Sequence, residues 1–207
     1  MPANFNFIAP VYDPLAFLVY GNNLKKAKKA FFEKIPSHAR ILLMGGGTGN
    51  ILNDLLEKKP FVIVDFVEAS SAMMKIAEKN LKKEFQSRIN FINGDHHSIL
   101  KGAEYDVITS FFVIDCFKQE DAIEFANAIT SVLKPDGIWL FADFFETGKS
   151  YHHALLWIMY RFFRVVSRIP TLKLPDYNAI FRAVKFKVRE EKIILNGLIH
   201  SLVLEGE

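Results

Sequence analysis

Short apolar runs alternate along the chain with segments in which apolar residues recur at the spacing of a helix. The runs that predict strands are residues 40–44, 61–67, 88–92, 105–112 and 138–142. Nearly continuous apolar runs are typical of strands that are buried on both faces, as in a parallel sheet. Because helical segments separate these runs, we expect parallel strands joined by right-handed crossovers, which is an α/β fold.

Capping residues and prolines set the expected limits of the helices. The predicted helices cover residues 24–35, 50–59, 71–81 and 119–133. A serine, Ser70 or Ser71, is expected to cap the third helix, because its hydroxyl can accept from a free backbone N–H. Pro10 and Pro14 predict that the first twenty residues are irregular, and Pro-Asp-Gly at residues 135–137 predicts a turn.

The end of the chain has a different pattern from the rest. Residues 185–195 alternate between apolar and charged side chains, and an apolar run at 198–204 follows Asn196-Gly197. Asn-Gly between two strand patterns is the strongest short signal for a hairpin. We therefore predict a Rossmann-like, seven-stranded, mostly parallel sheet that has helices on both faces and ends in an antiparallel hairpin.

Composition limits the class of protein further. The 207 residues suit one domain with a sizeable core, and a net charge of +3 does not by itself indicate a nucleic-acid partner. The single cysteine, Cys116, excludes an intramolecular disulfide and fits a reducing, cytoplasmic environment. We expect no signal peptide, because the N-terminus has no basic region followed by an apolar core. We expect no membrane-spanning helix, because the most apolar stretch, residues 154–166, is broken by Arg161 and Arg164.

A glycine-rich loop follows the first apolar run and precedes a helical pattern. The loop residues are Gly45, Gly46, Gly47, Thr48 and Gly49. Glycine lets the backbone turn sharply and lets a ligand approach closely, and the start of a helix presents free N–H groups to a negative group. The second apolar run ends at Glu68, an acid placed to accept hydrogen bonds from ribose hydroxyls. This layout predicts a nucleotide-type cofactor site.

Four segments, together with the terminal hairpin, resemble the class I S-adenosylmethionine-dependent methyltransferases. The segments are residues 45–49, 67–70, 94–96 and 133–137. The resemblance covers residues 38–146, with the hairpin added, and it implies S-adenosylmethionine as cofactor and methyl transfer as activity. In a dinucleotide-binding domain the sixth strand would stay parallel. The hairpin and the position of Asp95 therefore argue against a dinucleotide-dependent oxidoreductase.

The resemblance implies a role for each residue that matches a motif of the family. The implied cofactor-binding residues are Tyr12, Gly45, Gly46, Gly47, Thr48, Gly49, Glu68, Ala69, Ser70, Met73, Gly94, Asp95, His96, Phe111 and Phe112. The loop would pass under the methionine part of the cofactor, and Glu68 would bind both ribose hydroxyls. Ala69 and Met73 would flank the adenine, and Asp95 would accept from its amino group with the backbone of His96 nearby.

One position departs from the family's pattern. An acid usually stands two residues before the first loop glycine, where it supports the loop and the amino group of the cofactor. This chain has Leu43 there. Recognition of the amino group would then fall to backbone carbonyls or to another acid such as Asp115.

The first residues carry a second resemblance. Residues 7–13, followed by Tyr20-Gly21, are similar to the N-terminus of the ubiquinone- and menaquinone-biosynthesis methyltransferases. In those enzymes this segment covers the cofactor, so Tyr12 would be a lid residue. We expect one domain over residues 1–207, with an N-terminal cap or lid at 1–37.

The resemblance implies that Phe111 and Phe112 line the pocket beside the methyl group. We expect a helical insertion at residues 145–182 on the substrate side. Within it, Arg161, Arg164 and Arg168 fall on one helical face, and apolar residues cover the rest. One interpretation is a core helix with a solvated arginine stripe. A second interpretation is a lid over an apolar or lipid-like acceptor, which contacts the membrane peripherally through residues 151–168. A helix of this kind also fits the groove of a partner protein.

A general base is needed only when the acceptor must lose a proton. The candidates are His96, His97, His152, His153, Asp115 and Asp143. Asp115 could equally cap the next helix, and Asp143 could pair with a lysine. No metal site is expected, because adjacent histidines point to different sides on regular elements and no acidic cluster completes either pair.

The leading hypothesis is a methyltransferase that acts on a small, apolar or lipid-like molecule and not on nucleic acid. The lysines at 25–29 are interpreted as a solvated helix face. The alternative is a non-catalytic cofactor-binding or scaffold module of the same fold, which Leu43 supports. The acceptor atom and the oligomeric state stay open, including a homo-oligomer.

Overall fold

The computed structural model describes residues 4–100 and 102–207, and one seven-stranded sheet runs through them. The strands are β1 (Arg40–Met44), β2 (Ile63–Glu68), β3 (Ile89–Asn93), β4 (Tyr105–Phe111), β5 (Leu133–Phe144), β6 (Phe186–Ile194) and β7 (Ile199–Gly206). Their order is β3-β2-β1-β4-β5-β7-β6, with β1 to β5 parallel and β7 antiparallel to both neighbours. The predicted sheet and its terminal hairpin are confirmed.

Seven α-helices cover the two faces of the sheet in the described residues. They are α1 (Ala9–Tyr20), α2 (Asn23–Lys29), α3 (Leu52–Lys58), α4 (Ser71–Asn80), α5 (Gln119–Thr130), α6 (Ser150–Val166) and α7 (Tyr177–Ala183). One apolar core contains Leu52 of α3 and Leu156 of α6, and the core on the other face contains Phe125 of α5 and Ile180 of α7. The sheet is therefore buried on both faces, as its continuous apolar strands require.

The N-terminal segment is the largest departure from the sequence prediction. Residues 9–20 form α1, although they were expected to be irregular. Pro10 lies in the first turn of α1, where backbone N–H groups have no partner within the helix, and Pro14 is accommodated inside it. The next helix ends at Lys29, and a short 3-10 turn covers Phe32–Lys34, where the sequence predicted one continuous helix.

The expected Pro-Asp-Gly turn at 135–137 lies inside β5. The register between β4 and β5 shifts there, since Tyr105 is opposite Leu133 while Val107 is opposite Ile138. The extra residues form a bulge, which keeps both flanking parts in the sheet. The helix before β5 ends at Thr130, three residues earlier than predicted.

The hairpin between β6 and β7 turns through four residues, 195–198. Asn196 and Gly197 have φ angles of 55° and 99°, the left-handed region that these residue types tolerate best. Among the described residues, no helix combines the length and the apolar character needed to cross a bilayer.

Candidate active site

A cavity of about 940 Å³ lies at the carboxyl edge of β1 to β4, where ligands gather in open α/β sheets. It brings together thirteen of the fifteen residues expected to bind the cofactor. They are Tyr12, Gly45, Gly47, Thr48, Glu68, Ala69, Ser70, Met73, Gly94, Asp95, His96, Phe111 and Phe112. The other two, Gly46 and Gly49, lie in the same loop but do not line the cavity.

The loop glycines divide into two groups by what a side chain would meet. Gly47 has a φ of +60°, and a Cβ there would point into the open cavity, with only the Met73 sulfur as near as 4.0 Å. A Cβ on Gly46 would lie 2.1 Å from the Phe66 ring, and one on Gly49 would lie 2.8 Å from the Cβ of Ala77. Gly46 and Gly49 therefore permit packing, while Gly47 leaves room for a ligand against the backbone.

Glu68 ends β2 inside the cavity and is only 7% exposed. Its Oε2 accepts from the N–H of Gly47 at 2.7 Å, and its Oε1 accepts from the N–H of Ser70 at 2.7 Å. Burial raises the pKa of Glu68, and these N–H donors oppose the shift. Each oxygen keeps a second lone pair, so the carboxylate can fix the loop and still accept from two hydroxyls.

Ser70 caps α4, as predicted, because its hydroxyl accepts from the N–H of Met73 at 3.2 Å. The same hydroxyl donates to Oδ1 of Asn6 at 2.7 Å. Asn6 lines the cavity and brings the N-terminal segment over the start of α4. No sequence pattern indicated a role for Asn6.

The histidines at 96 and 97 lie closer together than expected. Their ring centres are 4.0 Å apart, because they begin a short 3-10 turn and not a regular helix or strand. Asp95 lies beside them, and Oε1 of Glu124 is 3.7 Å from Nε2 of His96 and 3.8 Å from Nε2 of His97. The expectation that no acid completes this pair was wrong. Glu124 and His97 are exposed, and this group lies at the end of the cavity expected to hold adenine.

Lys28 is a cavity residue that the sequence analysis missed. The lysines at 25–29 were interpreted as one solvated face, but Lys25 and Lys29 pair with Asp54 while Lys28 is half-buried and faces the cavity. Burial lowers the pKa of Lys28, and the charges of Asp13 and Glu68 act against this. Within the described residues, its ammonium group has no hydrogen bond or ion pair. The available signal was its position four residues after Leu24, on the apolar face of α2.

An acid from α1 supports the glycine loop in this chain. Asp13 accepts from the hydroxyl of Thr48 at 2.6 Å and from Nδ2 of Asn50 at 3.0 Å. The position that usually carries an acid, Leu43, is buried in the apolar core. Asp13 therefore supports the loop from α1, whereas the usual acid would support it from β1. The sequence alone did not indicate this role for Asp13.

A second, apolar cavity of about 200 Å³ lies between α1 and α6. It shares Tyr12, Phe112 and Cys116 with the larger cavity, so the two cavities adjoin. Its other lining residues are mainly apolar, namely Leu15, Ala16, Val19, Tyr20, Leu24, Asp115, Phe144, Leu155, Ile158, Met159, Tyr160, Phe162, Phe163 and Ile169. Phe112 stands at the junction with a left-handed φ of 57°.

Asp115 is the one acid in the described lining of the apolar cavity, and it does not line the cofactor cavity. Its Oδ1 accepts only a long hydrogen bond, from Sγ of Cys116 at 3.5 Å, and burial raises its pKa to about 6. Tyr160 donates to the backbone oxygen of Asp115 at 3.1 Å. A buried carboxyl group with unused lone pairs next to an apolar cavity is suited to accept a proton.

Asp143 lies behind Asp115 and lines neither cavity. One of its oxygens accepts from the N–H of Asp115 at 3.1 Å and the other from the N–H of Phe144 at 2.9 Å. Burial and the charge of Asp115 raise the pKa of Asp143 well above its ordinary value. Asp143 thus holds the segment that carries Asp115, and within the described residues it pairs with no lysine. The next helix, α5, has Lys118 and not Asp115 at its N-cap, and no side chain caps it.

The remaining candidates fall in different places. His97 lines the cofactor cavity but is exposed. His152 is buried against Thr147, with Nδ1 2.6 Å from the hydroxyl oxygen, and it lines neither cavity; the same is true of the exposed His153. Arg168 lies beyond the end of α6 with a φ of 55° and lines the cofactor cavity, so it does not share the helical face of Arg161 and Arg164 as expected.

Comparison with known proteins shows the family of this chain. A family described as "Methyltransferase domain" matches residues 42–139. The demethylmenaquinone methyltransferase of Leptospira interrogans serovar copenhageni is 32% identical over 191 residues, which cover 86% of this chain and 73% of that protein. The chain belongs to the class I S-adenosylmethionine-dependent methyltransferases. The cofactor of this family is S-adenosylmethionine, which fits the cradle at Gly47 and the acid at Glu68.

Other relatives of this methyltransferase are longer than the chain. The malonyl-[acyl-carrier protein] O-methyltransferase of Halalkalibacterium halodurans is 32% identical over 108 residues, which cover 50% of this chain and 38% of that protein. The solved structure of a mitomycin 7-O-methyltransferase superposes with a TM-score of 0.72 at 16% identity, covering 97% of this chain and 60% of that one. At that identity the similarity shows the shared fold.

Proposed function

We propose that this methyltransferase transfers a methyl group from S-adenosylmethionine to a small, apolar or lipid-like molecule. The observation that carries the proposal is the apolar cavity between α1 and α6, which adjoins the cofactor cavity and contains a single acid, Asp115. The name of the relative from Leptospira interrogans, a demethylmenaquinone methyltransferase, supports an apolar acceptor. The free thiol of Cys116 supports a cytoplasmic location.

The cofactor cavity offers a separate partner for each part of S-adenosylmethionine. Glu68 would accept from the two ribose hydroxyls, and Ala69 and Met73 would flank the adenine, whose amino group would donate to Asp95. Lys28 would bind the carboxylate of the methionine part, since it lines the same cavity as the glycine loop, interacts electrostatically with Asp13 and Glu68, and has no hydrogen bond or ion pair among the described residues. Backbone around the loop would then accept from the amino group.

The acceptor would lie in the apolar cavity with its reacting atom near Phe112 and Cys116, where the two cavities meet. The bound sulfonium supplies an electrophilic methyl group. The protein must align the acceptor with this group and exclude water, which Tyr12 and Phe163 favour by packing with ring centres 6.2 Å apart. For an acceptor with an O–H group, Asp115 would accept the hydroxyl proton as the oxygen takes the methyl group, and the electron pair of the broken carbon–sulfur bond would stay on sulfur.

Residues 1–37 would act as a lid over both cavities and residues 145–182 as the wall of the acceptor site. Asn6 and Asp13 support the lid role because they bind Ser70 and Thr48 of the cofactor cavity. Met159 and Phe163 of α6 support the wall role because they line the apolar cavity.

The test is methyl transfer from labelled S-adenosylmethionine to a panel of hydroxylated aromatic and prenylated compounds. We expect transfer to apolar phenols and not to charged acceptors of the same size. An Asp115→Asn variant should bind S-adenosylhomocysteine normally and lose at least 100-fold in kcat/KM for phenols. Exclusive transfer to charged acceptors, or full activity of Asp115→Asn, would contradict the proposal.

A further inference from the structure

Helix α1 has an unusual solvent-facing surface. Its exposed residues are all apolar or proline: Pro10, Val11, Pro14, Phe17, Leu18 and Val19. Leu18 is 81% exposed and Phe17 is 60% exposed. The single charged residue of α1, Asp13, is turned inward to Thr48 and Asn50. A contiguous apolar surface of this kind indicates an interaction site.

Helix α6 continues this surface with a stripe of exposed apolar residues. The stripe is Ala154, Ile158, Phe162 and Val165, at the spacing of one helical face. Trp157, Arg161 and Arg164 lie beside it, with the Arg161 guanidinium 4.5 Å from the centre of the Trp157 ring. Helix α6 contains no acidic residue, and neither arginine has an ion pair within the described residues.

The two helices adjoin at the mouth of the apolar cavity. The hydroxyl of Tyr20 at the end of α1 donates to the sulfur of Met159 in α6 at 3.2 Å. Val19, Ile158 and Phe162 line the apolar cavity and are also exposed, so the cavity opens through this surface. We call the exposed apolar residues of both helices the α1–α6 face.

We infer that the α1–α6 face binds the surface of an anionic phospholipid membrane, so that an apolar acceptor enters its cavity directly from the bilayer. Apolar and aromatic side chains next to arginines are typical of helices that lie in the interface of a membrane. Two arginines without acidic neighbours complement negative headgroups, whereas a neutral protein groove would leave them unpaired. The route of the acceptor rests on the proposed function, but the membrane contact does not.

Trp157 provides a direct probe of this contact. The other tryptophan, Trp139, is fully buried and hydrogen-bonded to Ser110, so its emission should not respond to lipid. We expect a blue shift of Trp157 emission on adding vesicles with 30% phosphatidylglycerol, and quenching by brominated acyl chains. A Trp157→Phe variant should lose the spectral response and still sediment with the vesicles.

Matched variants separate the contribution of the apolar residues to vesicle binding from that of the arginines. Leu18→Ser with Val165→Ser, both 81% exposed, should lower the vesicle partition coefficient at least ten-fold. Ile63→Ser with Ile193→Ser removes two apolar side chains that are 54% and 60% exposed outside the α1–α6 face, and it should leave the partition coefficient unchanged. Each arginine near an anionic surface contributes about five-fold. Arg161→Gln with Arg164→Gln should therefore lower the vesicle partition coefficient about 25-fold. Lys185→Gln with Lys187→Gln, the control for charge, should lower it far less.

The measurements need neither cofactor nor acceptor, so their outcome is independent of methyl transfer. Vesicle binding by a protein that fails to bind S-adenosylmethionine would support the membrane contact and refute the proposed function. No binding to anionic vesicles would overturn the inference. A dimer in sedimentation that Leu18→Ser with Val165→Ser dissociates, without vesicle binding, would assign this face to a second copy of the chain instead.

Discussion

Replacing Lys28 by methionine tests the placement of the cofactor's carboxylate. Methionine keeps the length and apolar contacts of the stem but removes the ammonium group, which faces the cavity without a partner in the described part of the chain. A hydrogen bond to a charged group contributes about 1.5–3 kcal/mol. We therefore expect the Kd for S-adenosylmethionine to rise about 10- to 150-fold.

The assay is calorimetry with two ligands, S-adenosylmethionine and its decarboxylated analogue. The analogue lacks the group that Lys28 would bind, so Lys28→Met should change its Kd less than about two-fold. Lys26→Met is the control, because Lys26 is exposed on the same helix and lines neither cavity. Equal weakening of the binding of both ligands would contradict a contact between Lys28 and the carboxylate, since Lys28 would then act on the fold or on the nucleoside.

Three further predictions concern the acids and the glycine loop. Glu68→Ala should weaken binding of S-adenosylhomocysteine by about 1–3 kcal/mol in calorimetry, and an unchanged Kd would contradict the placement of the ribose. Activity on a phenol should rise with pH through about 6 and then level off, because Asp115 must lose its proton to act as base; a profile without this limb would count against Asp115. Gly49→Ala should lower the free energy of unfolding in urea by about 2–4 kcal/mol, because a left-handed φ and contact with Ala77 both oppose a Cβ. Gly148→Ala, which meets nothing within 4 Å, should lose only about 1–2 kcal/mol, and equal losses would contradict the packing role of Gly49.

Patterns that repeat over short distances were sufficient to predict the sheet. The bounds of β1 were predicted to the residue, because its short apolar run is followed directly by the glycine loop, where the strand must end. The hairpin followed from Asn196-Gly197, whose left-handed backbone is a local property. Pro14 predicted irregular structure where α1 forms, because the penalty for an interior proline is local. The contacts that hold α1 against α4 and α6 come from distant segments and are not visible in the local sequence.

Site residues that belong to a local sequence motif could be predicted. Site residues that reach the cavity only through tertiary packing could not. Glu68 ends β2 and Ser70 follows two residues later, so the position of Glu68 at the edge of the sheet and the capping role of Ser70 could be expected from the sequence. Asp13 contacts the glycine loop and Lys28 lines the cavity only because α1 and α2 fold over this edge of the sheet, which composition does not reveal. The opening of the apolar cavity likewise depends on how α1 and α6 meet.

The roles given to the loop, to the acids and to Lys28 all require that the cavity beside Gly47 and Glu68 binds S-adenosylmethionine. Isothermal titration of the wild-type chain with S-adenosylhomocysteine measures this binding. We predict one site with a Kd in the micromolar range. Absent or millimolar binding would contradict the claim and would favour a scaffold role for the same fold.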